Sequence, residues 1–219
     1  MKKLFIVGNW KSNKTSLESK DWIQEFSIFN FQFSEKEVII CPPYSVLSAM
    51  KALLDEKKTP IKFGSQDFSS FDAGAHTGEE PPALLKEYIA YAIIGHSERR
   101  NELGETDDLI ARKVASATKY GITPILCVQG KETPIPQGVT IVAYEPISAI
   151  GTGNPATPED AEDVAKYIKE THGVQYVLYG GSVTPEDVHG FTELPSVDGV
   201  LVGGASLDAE KFIKLIEAA

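Results

Sequence analysis

A closed eight-stranded parallel β/α barrel, built as one domain over residues 1–219, is the fold this sequence predicts, on three observations. Short apolar runs of strand length recur eight times, most of them continuous rather than alternating. A continuous run is how a strand reads when both of its faces are buried in a parallel sheet. Longer stretches with helical spacing lie between most of the runs, and alternating strands and helices mean parallel strands joined by right-handed crossovers. The units average about 27 residues, and Thr157-Pro158-Glu159-Asp160 returns 27 positions later as Thr184-Pro185-Glu186-Asp187. Each copy reads as an N-cap threonine, a proline in the first helical position and acids in the first turn. A doubly wound open sheet is the competing architecture.

In chain order the strands are expected at Leu4–Val7, Val38–Cys41, Ile61–Gly64, Ala92–Gly95, Thr123–Val128, Thr140–Tyr144, Tyr176–Tyr179 and Gly199–Val202. Helical faces are expected from Trp22, Ile23 and Phe26, then from Val46, Leu47, Met50 and Leu54. Leu109, Ile110, Val114 and Ala117 repeat the spacing, as do Val164 with Ile168, and Phe212 with Leu215 and Ile216. The fifth crossover departs from the pattern: between Cys127 and Thr140 lie 12 residues holding two prolines and two glycines. Proline removes a backbone donor and breaks helices, so the fifth helix is expected to be shortened or missing.

Composition narrows the function classes. The chain has 21 basic and 31 acidic residues, a formal net charge of −10, and two cysteines. This excludes a disulfide scaffold and argues against nucleic-acid or anionic-membrane partners. Any anionic ligand must therefore be met by local positive groups. No apolar run approaches the roughly 20 residues that span a bilayer, and Gly8-Asn9 ends the first run too early for a secretion signal. A cytoplasmic protein is expected, with Cys41 and Cys127 reduced and filling space in the core. Their separation gives no metal-type spacing, so no metal is expected on them.

Barrel chemistry sits at the carboxyl ends of the strands. Asn9 and Lys11 follow the first strand, His96 the fourth, Glu145 the sixth, Gly180-Gly181-Ser182 the seventh and Gly203-Gly204 the eighth. Taken singly, each has an ordinary structural reading: a surface lysine, a core histidine, a solvated loop acid, two tight turns. Taken together, they put a cation, an amide, an imidazole and a carboxylate at one mouth, which suits acid–base work on a small anion. The glycine pairs let backbone N–H groups approach a phosphate, and the loops after strands seven and eight are a frequent phosphate site in barrels. Gly151-Thr152-Gly153-Asn154-Pro155-Ala156 fits a dinucleotide fingerprint, with Glu170 as its ribose acid. Pro155 removes an N–H from that turn, and the preceding strand ends well before Gly151, so this reading is set aside.

These residues fall in segments that resemble the triosephosphate isomerase family, in order and over nearly the whole chain. The segments are Gly8-Asn9-Trp10-Lys11, Gly74-Ala75-His76-Thr77-Gly78-Glu79, Ile94-Gly95-His96-Ser97-Glu98-Arg99-Arg100, Ala143-Tyr144-Glu145-Pro146, Ala149-Ile150-Gly151-Thr152-Gly153, Tyr179-Gly180-Gly181-Ser182 and Gly199 to Ser206. The resemblance implies a TIM barrel that interconverts dihydroxyacetone phosphate and D-glyceraldehyde 3-phosphate without metal or redox cofactor. It implies Glu145 as the base, His96 as a neutral electrophile, and Lys11 and Asn9 as groups that bind the substrate and steady its charge. Glu98 matches an acid beside Lys11, and Gly151, Ser182, Gly203 and Gly204 match phosphate-binding positions. Another phosphate-binding barrel isomerase and a non-catalytic phosphate-binding module are the alternatives. Phosphoribosyl isomerases place acids at strands one and five, where this chain has Asn9 and Cys127 to Gln129.

Pro146, Ile147, Ser148, Ala149, Ile150, Gly151, Thr152 and Gly153 resemble the family's lid, which shields the enediolate from water. Ile147-Ser148 stands where a valine and a tryptophan usually lie, so an altered closing rate is expected. Gln66 to Pro82 resembles the loop that reaches into a partner subunit, with Ala75, His76, Thr77, Gly78 and Glu79 at its tip and His76 where an aromatic residue is commoner. A homodimer is thereby implied. The short fifth crossover also resembles shortened tetrameric members, which makes a tetramer the alternative.

Overall fold

The computed structural model describes residues 2–29, 35–146 and 156–219. Eight parallel strands close a barrel in sequence order: β1 (Leu4–Asn9), β2 (Lys36–Cys41), β3 (Lys62–Ser65), β4 (Tyr91–Ile94), β5 (Thr123–Val128), β6 (Ile141–Tyr144), β7 (Tyr176–Tyr179) and β8 (Gly199–Val202). Around them lie α1 (Ser16–Ser27), α2 (Tyr44–Lys57), α3 (Pro82–Leu85), α4 (Ser97–Glu102), α5 (Asp107–Lys119), α6 (Pro158–His172), α7 (Val188–Thr192) and α8 (Ala209–Ala218).

The unbroken apolar character of the strands has a direct cause. Phe5, Val7, Ile39, Cys41, Ile93, Ile125, Cys127, Ile141, Ala143, Leu178 and Leu201 fill the barrel interior. The residues between them, among them Ile6, Val38, Ile40, Leu126, Val142, Val177 and Val200, belong to the second core under the helices. Each strand alternates with period two, but between two apolar layers instead of between core and water. Most residues of the predicted helical faces meet this outer core: Trp22, Ile23 and Phe26 on α1, and Phe212, Leu215 and Ile216 on α8 are all buried, whereas Leu109 of α5 is only half-buried and lines a surface cavity beside Asp67 and Phe68.

Helix starts follow local chemistry. Thr15 and Glu18 form a reciprocal capping box on α1, with the Thr15 N–H donating to Glu18 Oε2 at 2.7 Å. Thr157 caps α6 with Pro158 in its first turn, and Gly173 ends it in the left-handed region at φ 65°. The second copy of the Thr-Pro-Glu-Asp echo behaves differently from the expectation. Helix α7 begins only at Val188, its N-cap is Asp187, and the Asp187 carboxylate accepts from the Thr184 N–H at 2.7 Å. Here the acid reaches back to the threonine backbone, so Pro185 to Asp187 form a turn that leads into the helix.

Between β5 and β6 no helix forms, and residues 129–140 make turns. The Thr133 hydroxyl accepts from the Gln129 N–H at 3.1 Å, while Ile135 packs on the outer core and Val139 is buried. Lys131 pins the loop to α6 through Asp163 at 2.6 Å and the face of Tyr167 at 5.2 Å.

Closure occurs where β1 pairs β8, from Phe5 opposite Gly199 to Gly8 opposite Val202. Gly199 has φ 142°, and a Cβ there would lie 1.9 Å from the Phe5 carbonyl oxygen, so the seam admits only glycine. Next to it the buried Asp198 accepts from the Val177 N–H at 2.8 Å and meets Lys169 Nζ at 2.6 Å.

A second buried ionic group holds the loop after β3 to α4 and α5. Lys113 Nζ lies 2.6 Å from Asp67 Oδ2 and 2.5 Å from Glu105 Oε1. Arg99 adds contacts of 2.8 Å to each acid. Burial pushes the Asp67 carboxyl up against the pull of Lys113. For Glu105 burial acts the same way, but its hydrogen bonds from Lys113 and Arg99 outweigh it and leave the carboxyl low.

Candidate active site

The carboxyl ends of five strands deliver the predicted groups to one place. Asn9 ends β1 and is buried, and its Oδ1 accepts from the Lys11 N–H at 3.0 Å. Lys11 takes a left-handed backbone at φ 51°, a strained state for a residue with a side chain. Gln66 Nε2 holds it there by donating to the Lys11 carbonyl at 2.8 Å and to that of Cys41 at 3.0 Å. The Lys11 ammonium lies 2.5 Å from Glu98 Oε1.

His96 follows β4 and caps α4, and its Nδ1 accepts from the Glu98 N–H at 3.2 Å. A ring nitrogen that accepts carries no proton, which puts the single proton of the neutral ring on Nε2. Nε2 lies 3.1 Å from Glu145 Oε1. Glu145 follows β6, and its own N–H donates to the Val128 carbonyl at 2.8 Å. Its other carboxylate oxygen accepts from the Ser97 N–H at 2.9 Å, and 1% of the residue is exposed. Burial raises its pKa, against the opposing effects of His96, the Ser97 N–H and the Cys127 thiol.

Asn9, Lys11, His96 and Glu145 line a cavity of about 260 Å³ together with Gly180 to Thr184, Asp187 and Leu201 to Ala205. Ser182, Gly203 and Gly204 are therefore in the same cavity as the acid–base pair. Glu98 lies beyond Lys11, in an adjoining cavity of about 200 Å³ that shares Asn9, Lys11 and His96 and adds Gln66, Arg99, Glu102 and Leu103. Pro146 follows Glu145 directly, whereas Ile147, Ser148, Ala149, Ile150, Gly151, Thr152 and Gly153 lie outside the described residues. Ala75, His76, Thr77, Gly78 and Glu79 are all exposed, and His76 stacks on Phe71 at 4.2 Å between ring centres.

Several groups at the site carried no signal in the sequence. Both cysteines are buried and unpaired as expected, but Cys127 is more than filler, because its thiol lies against the Glu145 carboxylate inside the barrel. Burial first, and Glu145 second, raise that thiol's pKa, which keeps it a neutral donor. Gln66 and Ser97 act through backbone contacts that only the fold brings together. Tyr179, on the outer face of β7, accepts from the Ala156 N–H at 2.7 Å. The Tyr-Gly-Gly-Ser segment showed its glycines, but nothing local announced a partner 23 residues earlier.

Comparison with known proteins agrees with this geometry. The family model described as triosephosphate isomerase matches residues 4–140 and 132–219. The two pieces meet within the β5–β6 crossover, where this chain has no helix. Among curated relatives, the triosephosphate isomerase of Dictyoglomus turgidum is 38% identical, with all of both chains covered. That of Thermus thermophilus is also 38% identical over all of both chains. For that of Aquifex aeolicus the identity is 38% over 96% of this chain and 97% of the relative. A match of this extent, on a closed barrel with these strand ends, shows that the chain belongs to the triosephosphate isomerase family.

Proposed function

We propose that this chain interconverts dihydroxyacetone phosphate and D-glyceraldehyde 3-phosphate by moving one proton between adjacent carbons. The observation that carries this reading is the pair at 3.1 Å, a buried carboxylate and an imidazole N–H, on a cavity that glycine-rich backbone also lines. Glu145 takes the proton from the carbon next to the carbonyl and returns it to the neighbouring carbon. His96 Nε2–H donates to the carbonyl oxygen as negative charge develops there. In the structure both groups are turned to each other, so substrate entry must replace their mutual contact. Lys11 and Asn9 bind the substrate's oxygens and phosphate charge, and Glu98 orients the Lys11 ammonium. The phosphate sits against the N–H groups around Ser182, Gly203 and Gly204, and the family resemblance assigns Gly151 to the same task and Pro146 to Gly153 to the lid.

The direct test follows the protein in D₂O with dihydroxyacetone phosphate by proton NMR. Formation of glyceraldehyde 3-phosphate with deuterium entering the carbon supports the reading. Binding of a phosphate analogue by folded protein without exchange or product would replace it with a phosphate-binding module.

The pH profile provides a second test. Only the carboxylate can accept a proton, and burial raises the pKa of Glu145, so the protonated form persists to higher pH than for an exposed glutamate. We expect kcat/KM to fall with one-proton slope as pH drops, with its midpoint above the ordinary carboxylate range. Cys127→Ala removes a donor that favours the carboxylate and should move the midpoint further up. A midpoint at or below the ordinary glutamate value would contradict the assignment of Glu145.

The same proposal includes a homodimer working in the cytoplasm. The cavity behind Lys11 and His96 opens beside exposed Leu103, and the loop after β3 presents Phe71 at 49% exposure with His76 stacked on it. A second copy that covers this face would dry the back of the site. Sedimentation should give twice the chain mass; a tetramer would move the assignment to the alternative assembly, and a monomer would remove it. Among the described residues no helix is long and apolar enough to cross a membrane.

A further inference from the structure

The β4–β5 ladder ends at Ile94 opposite Leu126. One residue further on, Gly95 lies beyond β4 and Cys127, still paired to β6, is past its last partner in β4, and a single side chain takes both carbonyls. Arg100 Nε donates to the Gly95 carbonyl at 2.7 Å, and Arg100 Nη2 donates to the Cys127 carbonyl at 3.3 Å. The third arm, Nη1, meets Asp107 Oδ1 at 2.7 Å, at the start of α5. The side chain is 11% exposed, so its fork is held by packing as well as by these bonds. Gly95 makes the arrangement possible: at φ 70° it turns the chain, and a Cβ there would lie 3.0 Å from Nη2.

The two carbonyls are not arbitrary. Gly95 immediately precedes His96, and Cys127 carries the thiol that lies against Glu145. The residue after Cys127, Val128, accepts the Glu145 N–H. One planar group therefore grips the backbone on which the imidazole hangs and the backbone that supports the carboxylate. We propose that Arg100 is a positioning residue that sets the separation of His96 and Glu145, continuing the ladder beyond its last backbone pair. The inference rests on the roles proposed above for those two residues. Lysine cannot reproduce it, because a single ammonium lacks the rigid fork that reaches two carbonyls and a carboxylate at once.

The test compares Arg100→Lys and Arg100→Gln with Asp107→Asn, which disturbs only the outer, half-exposed arm. For both Arg100 variants we expect kcat to fall about 10- to 100-fold with KM changed less than about twofold, since small misplacement of reacting groups acts on the chemical step. The downfield Nε2–H proton signal of His96 should shift or broaden in the same variants, a readout that loss of stability alone does not move in folded protein. Asp107→Asn should leave both unchanged. Unaltered kcat and an unaltered His96 signal in a folded Arg100 variant would overturn the inference. So would a loss of kcat that merely tracks the unfolded fraction. Glu145→Gln and His96→Gln are assayed beside them. If those two keep full activity, the underlying role assignment fails and takes this inference with it; if they lose activity while Arg100→Lys and Arg100→Gln do not, only this inference fails.

Discussion

Glu145→Gln should lower kcat by about 10²- to 10⁴-fold, the range a positioned general base contributes, while KM changes little. It should also halt deuterium entry from D₂O. Glutamine keeps the shape and still accepts from the Ser97 N–H, so the barrel has no reason to unfold. Stability should hold or rise. The folded-state pKa of Glu145 lies above its unfolded value because of burial, so ionisation costs folding free energy at pH above the folded pKa, and that cost vanishes below the unfolded one. At neutral pH the amide removes it. A thermal melt equal to or above the parent's, combined with the lost turnover, separates a missing base from a damaged fold. A variant that keeps its turnover would show that the proton moves through another group.

The second large effect concerns stability. Lys113→Met removes the cation shared by Asp67 and Glu105, which have side chains only 10% and 3% exposed. Leaving buried charges without their partner typically costs about 3–5 kcal/mol. For a chain of this size that corresponds to a fall in Tm of roughly 10 °C. Arg99 still touches both acids, which limits the loss, but Glu105 Oε2 already has no hydrogen-bond partner among the described residues. Two measurements identify the cause. The deficit should shrink as pH falls and the stranded acids take up protons, and Lys113→Met combined with Glu105→Gln should lose less than Lys113→Met alone. A small loss that does not depend on pH would mean that the network contributes little beyond packing.

Much of the barrel was readable because its causes are local. β5, β7 and β8 have the bounds that their apolar runs suggested, β7 stopping at Gly180 and β8 lying between Asp198 and Gly203. Thr157-Pro158 marked the start of α6 because cap and proline act within one turn. The same four residues at Thr184 misled, because Asp187 there found a different partner, the Thr184 N–H, and a four-residue pattern does not record which way its acid turns. At the site, residues that end strands were legible from position alone. Those that work across the chain were not. Gln66 reaches a carbonyl 55 residues away, and Cys127 looks in sequence like any buried thiol. Arg100 sat in full view in a recognised segment, yet its task depends on where two strands stop pairing.

The closure seam has a consequence for how the chain is made. Phe5 and Val7 line the barrel interior, and their strand's second neighbour is β8, near the other end of the chain. At usual synthesis rates, about 10 to 40 s separate the emergence of the first strand from that of the last. Throughout that interval the newborn polypeptide carries an unsatisfied sheet edge backed by apolar surface, the kind of template on which other strands add. Cells that make this protein must keep that edge from meeting a wrong partner, and expression yield should therefore depend on chaperone supply and growth temperature even for variants whose finished barrels are equally stable.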